Sequence, residues 1–170
     1  KKFEEDGETW KAEVERIDKG CVNGEAIWAA PDFNDAAWKS MKVPGLMQEQ
    51  DLPGFSGLVW FRKTIDIPAG WAGKDLILNL GVIDDNDFTY FNGIQIGHTE
   101  GWMAPRSYKI PKELVKKGKA VIAVRVMDTG GTGGINGSPE SISLHLSNTE
   151  AIQLAGNWKY QVSLDMREVA

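Results

Sequence analysis

Short runs of alternating apolar and polar residues, each closed by a turn signal, constrain the fold of this chain more than any other feature. The clearest run is DDNDFTYFNGIQIG at residues 84–97. Its pattern predicts strands at Phe88–Phe91 and Ile94–His98. Asn92-Gly93 between them tolerates the positive φ of a type I′ turn, so the segment predicts a tight β-hairpin.

The same period of two recurs between Trp28 and Leu146, as expected of half-buried strands. Lys119–Met127 differs because it is apolar on both faces, which is typical of a central strand covered on both sides. Successive short strands with little helix between them predict a mainly β fold, an antiparallel β-sandwich or jelly roll. The residues expected in its core include Phe61, Ile65, Leu78, Leu80, Ile122, Val124 and Leu144.

The beginning of the chain has a different pattern. Apolar residues recur at helical spacing over residues 3–18, and Gly20 follows as a helix terminator. The apolar face consists of Phe3, Trp10, Val14 and Ile17. We therefore expect an N-terminal helix beside the sandwich.

Length and composition suit one ordinary domain, since the chain has 170 residues of which 42% are hydrophobic and 25% charged. We expect a helical segment over residues 1–20, a β-sandwich over 21–150, and a returning strand or linker over 151–170. The chain begins at Lys1 without a methionine, so we interpret it as a piece of a longer protein.

Charge and cysteine content exclude several functions. The net charge is −5 and no basic stripe is available to neutralise phosphates, which argues against a nucleic-acid partner. The sequence has no apolar run of about 20 residues that would span a membrane. The single Cys21 cannot form an internal disulfide or a cysteine-based metal site.

Three carboxylates crowd the entrance of the predicted hairpin, at Asp84, Asp85 and Asp87. Acids in this position most often cap turns or pair with arginine. They could instead bind a hard cation, for which calcium is the expected metal, or supply the paired carboxylates of glycoside hydrolysis. We expect no other cofactor.

No catalytic residue is predicted in the chain. A serine nucleophile needs a base within hydrogen-bond reach, and the sequence has no Gly-x-Ser-x-Gly elbow. His98 lies in a hairpin strand and His145 is expected on the outward face of the last core strand. Both are interpreted as structural or surface residues rather than as bases.

The candidate contact surface joins the 98–106 loop to the glycine loop at 130–137, just after Asp128. Trp102 could supply a rigid apolar face for a sugar ring, and Arg106 a planar fork of donors for a carboxylate. His98 could add a polar contact, and glycines allow close backbone approach. Alternatively, Trp102 seals the end of the sandwich and Arg106 pairs with one of the three carboxylates.

The motifs also support a resemblance over about residues 28–165. The relevant segments are Pro31–Trp38, Val43–Gly45, Gly57–Lys63, Trp71–Lys74, Asp84–Asp87, Asn92-Gly93, Gly101-Trp102, Pro105-Arg106 and Val124–Gly131. Together they resemble the galactose-binding-like β-domain inserted in bacterial sialate O-acetylesterase. The sugar-binding jelly roll of family 2 glycoside hydrolases shares the acidic entrance and the Asn-Gly hairpin.

The resemblance implies a non-catalytic accessory domain, a structural or specificity insert beside the active site of an exported bacterial esterase. That family removes O-acetyl groups from sialic acids with a serine on an SGNH-type α/β domain, which would be the partner, and residues 1–20 would end the preceding catalytic segment. Its Gly-Gln-Ser and Asp-x-x-His motifs are absent from these residues. Two alternatives remain: a carbohydrate-binding module for a sialylated or galactose-containing glycan, or the sugar-binding domain of a family 2 glycoside hydrolase.

Overall fold

Two antiparallel sheets, packed face to face, account for most of the chain that the computed structural model describes, residues 17–166. The strands are β1 (Cys21–Val22), β2 (Glu25–Ala26), β3 (Lys39–Val43), β4 (Gly57–Ile67), β5 (Leu76–Asp84), β6 (Asn86–Phe91), β7 (Ile94–Glu100), β8 (Pro105–Ile110), β9 (Gly118–Asp128), β10 (Gly134–Asn136), β11 (Ile142–His145), β12 (Ala151–Gln153) and β13 (Gly156–Asp165). Short 3-10 turns lie at Ile27–Ala29, Met47–Glu49, Ala69–Trp71, Lys112–Leu114 and Pro139–Ser141.

The larger sheet has the strand order β3-β13-β4-β9-β6-β7, and the smaller has β10-β5-β11-β12 with β8 also paired to β5. β1 and β2 form a separate small hairpin. Apolar side chains from the facing surfaces of the two sheets form one core. The seven core residues expected from the alternation are all buried, so the prediction of an antiparallel β-sandwich is confirmed.

The outer face of the larger sheet is also covered. Strand β9 lies between β4 and β6, and its Ala123 packs outward against Trp60 and Tyr90 in a second, aromatic cluster. This agrees with the two apolar faces of Lys119–Met127. A segment at residues 27–38 covers the cluster with further aromatic rings.

Arg62 holds this covering segment in place. The buried guanidinium pairs with Asp35 at 2.9 Å. It also donates to the backbone oxygens of Trp28, Ala30 and Phe33, at 2.6, 3.0 and 3.3 Å. One side chain thereby satisfies several carbonyl groups that no sheet partner could reach.

The sandwich continues beyond the expected strands. β13 lies between β3 and β4 in the larger sheet, and its Trp158 is fully buried. Near the other end of β13, the Ser163 carbonyl accepts a hydrogen bond from the Lys19 N–H at 3.5 Å. Residues near the two ends of the described range therefore lie side by side.

The fold-class prediction was wrong about the helix. Residues 18–166 contain 3-10 turns but no α-helical element, and no helix among the described residues is long and apolar enough to cross a membrane. Most of the helix expected over 3–18 falls on residues 1–16, which lie outside the described residues. At its expected end, Ile17 is 39% exposed although it was assigned to the apolar face, while Asp18 is buried. The Asp18 carboxylate instead neutralises the buried Arg125 at 3.1 Å.

Candidate functional site

Four loops meet at one end of the sandwich, and we call them the rim: residues 44–50, 84–86, 101–105 and 128–134. Three of them cross from one sheet to the other, the first joins β3 to β4 within the larger sheet, and hydrogen bonds join each loop to another. The rim contains six of the seven candidate residues from the sequence or lies directly over them. It is therefore the surface on which the predicted site can be examined.

Arg106 lies beneath the rim and ties two of its loops together. Its Nε donates to Asp87 Oδ1 at 2.7 Å, and both side chains are fully inaccessible. The other four N–H groups donate to backbone oxygens of Gly101 (2.5 Å), Ala104 (2.6 Å), Asp85 (3.0 Å) and Thr99 (3.2 Å). A guanidinium has five donors, so none is left for a ligand carboxylate.

Asp87 completes this buried network from strand β6. Its Oδ2 accepts hydrogen bonds from the hydroxyl groups of Tyr108 and Thr89, each at 2.7 Å. Burial raises the pKa of Tyr108, and the neighbouring Asp87 carboxylate acts in the same direction. Arg106 and Asp87 thus form a buried ion pair, which was one of the alternatives for the acidic entrance.

Asp84 and Asp85 lie at the surface of the rim, half-buried and joined by a cis peptide bond. Asp85 Oδ2 accepts from the backbone N–H and the hydroxyl of Thr129, at 2.8 and 2.6 Å. Burial, together with the hydrogen bond to Asp85, raises the pKa of Asp84 to about 7. Burial acts to raise the pKa of Asp85 too, but hydrogen bonds from Asp84 and Thr129 lower it. Near neutral pH the two carboxyl groups share a proton.

Asp128 braces the glycine loop from inside. Its Oδ1 accepts from the Gly130 N–H at 3.0 Å, and its Oδ2 from Gln48 Nε2 at 2.6 Å. Gln48 Oε1 in turn accepts from the Gly133 N–H at 2.8 Å. A Cβ added at Gly133 would lie 2.6 Å from Asp128 Cγ, so only glycine permits this approach. Burial raises the pKa of Asp128, and the Asp85 charge adds to the effect.

Trp102 and Met103 form the apolar tip of the rim. Their exposed fractions are 59% and 69%, so Trp102 does not seal the sandwich. The backbone on either side is held by the Arg106 bonds to Gly101 and Ala104. The domain therefore presents two large apolar side chains on a loop whose ends are fixed.

His98 is separated from the other candidates. It stacks on Phe88 across the hairpin, with ring centroids 4.1 Å apart and planes 7° apart. Thr99, the next residue, bonds the buried Tyr108 hydroxyl on the opposite face of the strand. Because neighbouring side chains on a strand point to opposite faces, His98 faces away from Arg106.

Two contributors were missed from the sequence. Gln48 and Thr129 were not among the candidate residues, and each acts on a residue far away in the chain. A third missed group lies elsewhere, where Arg125 contacts Asp18 Oδ2 at 3.1 Å and Cys21 Sγ at 3.4 Å. Within residues 17–166, no three His, Cys, Asp or Glu side chains converge where a metal ion could bind.

Comparison with solved structures finds the same fold within longer protein chains. No protein-family model matches the sequence. A family 2 glycosyl hydrolase from Bacteroides cellulosilyticus aligns at a TM-score of 0.55 and 24% identity over 67% of this chain and 17% of its own. Bacteroides uniformis β-glucuronidase 2 aligns at 0.54 and 21%, over 78% and 15%. A β-glucuronidase from glycoside hydrolase family 2 aligns at 0.53 and 23%, over 61% and 12%.

These similarities correct the resemblance to sialate O-acetylesterase. The three structures are a family 2 glycosyl hydrolase and two β-glucuronidases, so the fold agrees with the alternative drawn from the sequence rather than with the esterase insert. The acidic entrance and the Asn-Gly hairpin are features of turns and sheet ends, which is why they fitted both families. At these identities the likeness shows a common fold, and the chain spans only 12 to 17% of the length of these three structures.

Proposed function

We propose that this chain is a sugar-binding β-sandwich domain of a longer, carbohydrate-active hydrolase of glycoside hydrolase family 2. In this proposal the chain itself is not catalytic, and the rim is the surface that meets the sugar. The observation that carries the proposal is the match between the described sandwich and one part of much longer glycoside hydrolase chains.

The rim has the chemistry that a sugar requires. Trp102 offers an exposed indole on which the C–H face of a sugar ring can pack. Asp84 and Asp85 share a proton near neutral pH, so together they offer both a donor and acceptors for hydroxyl groups. Asp128 stays beneath the surface and keeps the glycine loop in place.

The charge of the rim favours a neutral sugar over an anionic one. Asp84 and Asp85 would repel a uronic acid or sialic acid carboxylate. Arg106, the cation expected to bind such a group, is inaccessible and uses all five of its donors within the domain. A neutral hexose meets neither obstacle.

An NMR titration of the ¹⁵N-labelled chain tests the proposal. Galactose at about 10 mM, well above a Kd of about 1 mM, should shift the Trp102 indole and the amides of 101–104, while glucuronic acid should not. Trp102→Ala should abolish the shifts caused by galactose. The control variant Ile77→Ala, which removes an exposed apolar side chain from strand β5, should preserve them. Unchanged rim spectra with every neutral sugar tried would refute sugar binding at the rim.

The exposed tip favours a second candidate function, docking against the rest of the parent protein. Trp102 and Met103 are large, apolar and mostly exposed, as residues at the centre of an interface are before assembly. In a longer protein that contains this domain, amides 101–104 should then exchange with deuterium more slowly than in the isolated chain. Equal exchange rates would reject docking through this loop.

A further inference from the structure

A second concave surface lies at the end of the larger sheet that is remote from the rim. It is a cleft of about 720 Å³ between residues 24–33 and the hairpin turn at 90–95. Strands β6 and β7 have the rim at one end and this turn at the other, so the two surfaces are about 20 Å apart at 3.3 Å per residue. The volume falls within the range of about 300 to 1,000 Å³ that small-molecule sites occupy.

Both walls of the cleft are fixed by hydrogen bonds to central strands. On one side, Asn92 Oδ1 accepts from the Val121 N–H at 2.8 Å, and the Asn92 N–H donates to the Val121 oxygen at 2.9 Å. On the other side, Arg62 holds the Ala30 and Phe33 carbonyl oxygens. The cleft is therefore formed before any ligand arrives, which reduces the entropy lost on binding.

The walls meet at Gly93, where the backbone φ is +84°. A Cβ added there would lie 3.4 Å from Pro31 Cδ and 3.6 Å from Ala30 Cα. The hairpin turn thus packs directly on the 29–31 backbone. This contact joins the two walls of the cleft.

The lining combines acceptors, an amide and apolar surface. Glu25, Asp32 and Gln95 line the cleft with exposed side chains, while Phe33 is half-buried and Ile94 is 53% exposed. Among the described residues, none of those lining it is lysine or arginine. An anionic ligand would therefore meet carboxylates without a compensating cation.

Carboxylates alone would suit a cation, but the remaining groups point to a larger ligand. An inorganic cation or a small amine could use the amide oxygen of Gln95, but it would leave the amide N–H donors and the apolar faces of Phe33 and Ile94 unused. A sugar presents hydroxyl donors to carboxylates, hydroxyl acceptors to an amide N–H, and a C–H face to apolar side chains. From this combination we infer that the cleft between residues 24–33 and 90–95 is a second binding site, for a neutral oligosaccharide.

The test uses the ¹⁵N-labelled chain and three neutral disaccharides, lactose, cellobiose and maltose, with glucuronic acid and trilysine as probes of opposite charge. At least one disaccharide should shift amides of 24–33 and 90–95 in a saturable way. The single variants Glu25→Ala, Asp32→Ala and Gln95→Ala should each weaken that binding about three-fold or more, since each removes hydrogen bonds to the ligand. Glu113→Ala removes an exposed acid on a distant turn and should not change it.

The outcomes separate this site from the rim, because shifts at 101–104 report the rim and shifts at 24–33 and 90–95 report the cleft. Either surface can fail while the other binds. The inference is overturned if no disaccharide shifts the cleft amides, or if the three variants bind as the wild type does. If trilysine binds in the cleft and no disaccharide does, the inference is likewise overturned, and the ligand is a basic peptide rather than a sugar.

Discussion

Removal of Asp87 should destabilise the domain more than removal of any exposed acid. In Asp87→Ala, the Arg106 guanidinium keeps its place, fully inaccessible, without a countercharge. The hydroxyl groups of Tyr108 and Thr89 also lose their acceptor. Breaking a buried pair by removing one partner costs about 3 to 5 kcal/mol of unfolding free energy.

That cost is a large fraction of the roughly 5 to 15 kcal/mol by which a domain is stable. It corresponds to a fall in Tm on the order of 10 °C for a chain of this size. Urea unfolding followed by far-UV circular dichroism should show a lower midpoint with an unchanged m-value. Asp87→Asn keeps the shape and one acceptor oxygen, so it should lie between wild type and Asp87→Ala.

Two further variants make the reasoning refutable. Glu100→Ala removes a side chain that is 75% exposed and 3.8 Å from His98, and it should change stability by less than about 1 kcal/mol. Arg106→Met in the Asp87→Ala background removes the stranded charge, so it should recover part of the loss. If Asp87→Ala and Glu100→Ala shift the midpoint equally, the pair does not stabilise the rim as argued.

Three other predictions concern the loops and their charges. Gly133→Ala should cost about 1 to 3 kcal/mol in urea unfolding because its Cβ would overlap Asp128, whereas Gly70→Ala has open space and should be nearly neutral. The pKa of Asp84 is raised from 3.8 to about 7, so the folded state binds more protons than the unfolded one between these values. The stabilisation by the Asp84 proton is therefore complete below about pH 4 and is lost as the pH rises to about 7. The difference in urea midpoint between wild type and Asp84→Asn should change over that range. A constant difference would contradict the shared proton. Arg62→Lys should speed deuterium exchange in residues 28–35, because one ammonium cannot replace a fork that reaches three carbonyl groups; unchanged exchange would show that the aromatic rings alone hold this segment.

Local patterns were sufficient for the hairpin and the core. The strands expected at Phe88–Phe91 and Ile94–His98 are found as Asn86–Phe91 and Ile94–Glu100. Asn92 and Gly93 have φ values of 48° and 84°, as a type I′ turn requires. Alternation also identified the buried residues, since burial on a strand follows directly from its period of two.

Long-range partners could not be predicted in this way. Asp18 binds Arg125 across 107 positions of sequence, and Gln48 binds Asp128 across 80. Neither pair has a local signal, because only the order of strands in the sheet brings them together. The helical spacing over residues 3–18 likewise gave no sign that Asp18 has a buried partner.

The acidic entrance shows most clearly what sequence patterns cannot predict, because its three neighbouring carboxylates have three different roles. Asp87 points into the sandwich from β6 and neutralises Arg106, while Asp85 reaches across to Thr129 and fixes the glycine loop. Asp84 has neither partner, and burial beside Asp85 leaves it to share a proton. The sequence predicts that such acids cap turns, pair with arginine or bind a ligand, and it cannot assign these roles to individual residues. Strand alternation separates the buried Asp87 from Asp84 and Asp85. The loops that distant strands contribute then decide which of those two finds a hydrogen-bond partner. In the proposed sugar contact at the rim, Asp84 is therefore the member of the trio that can donate a proton near neutral pH.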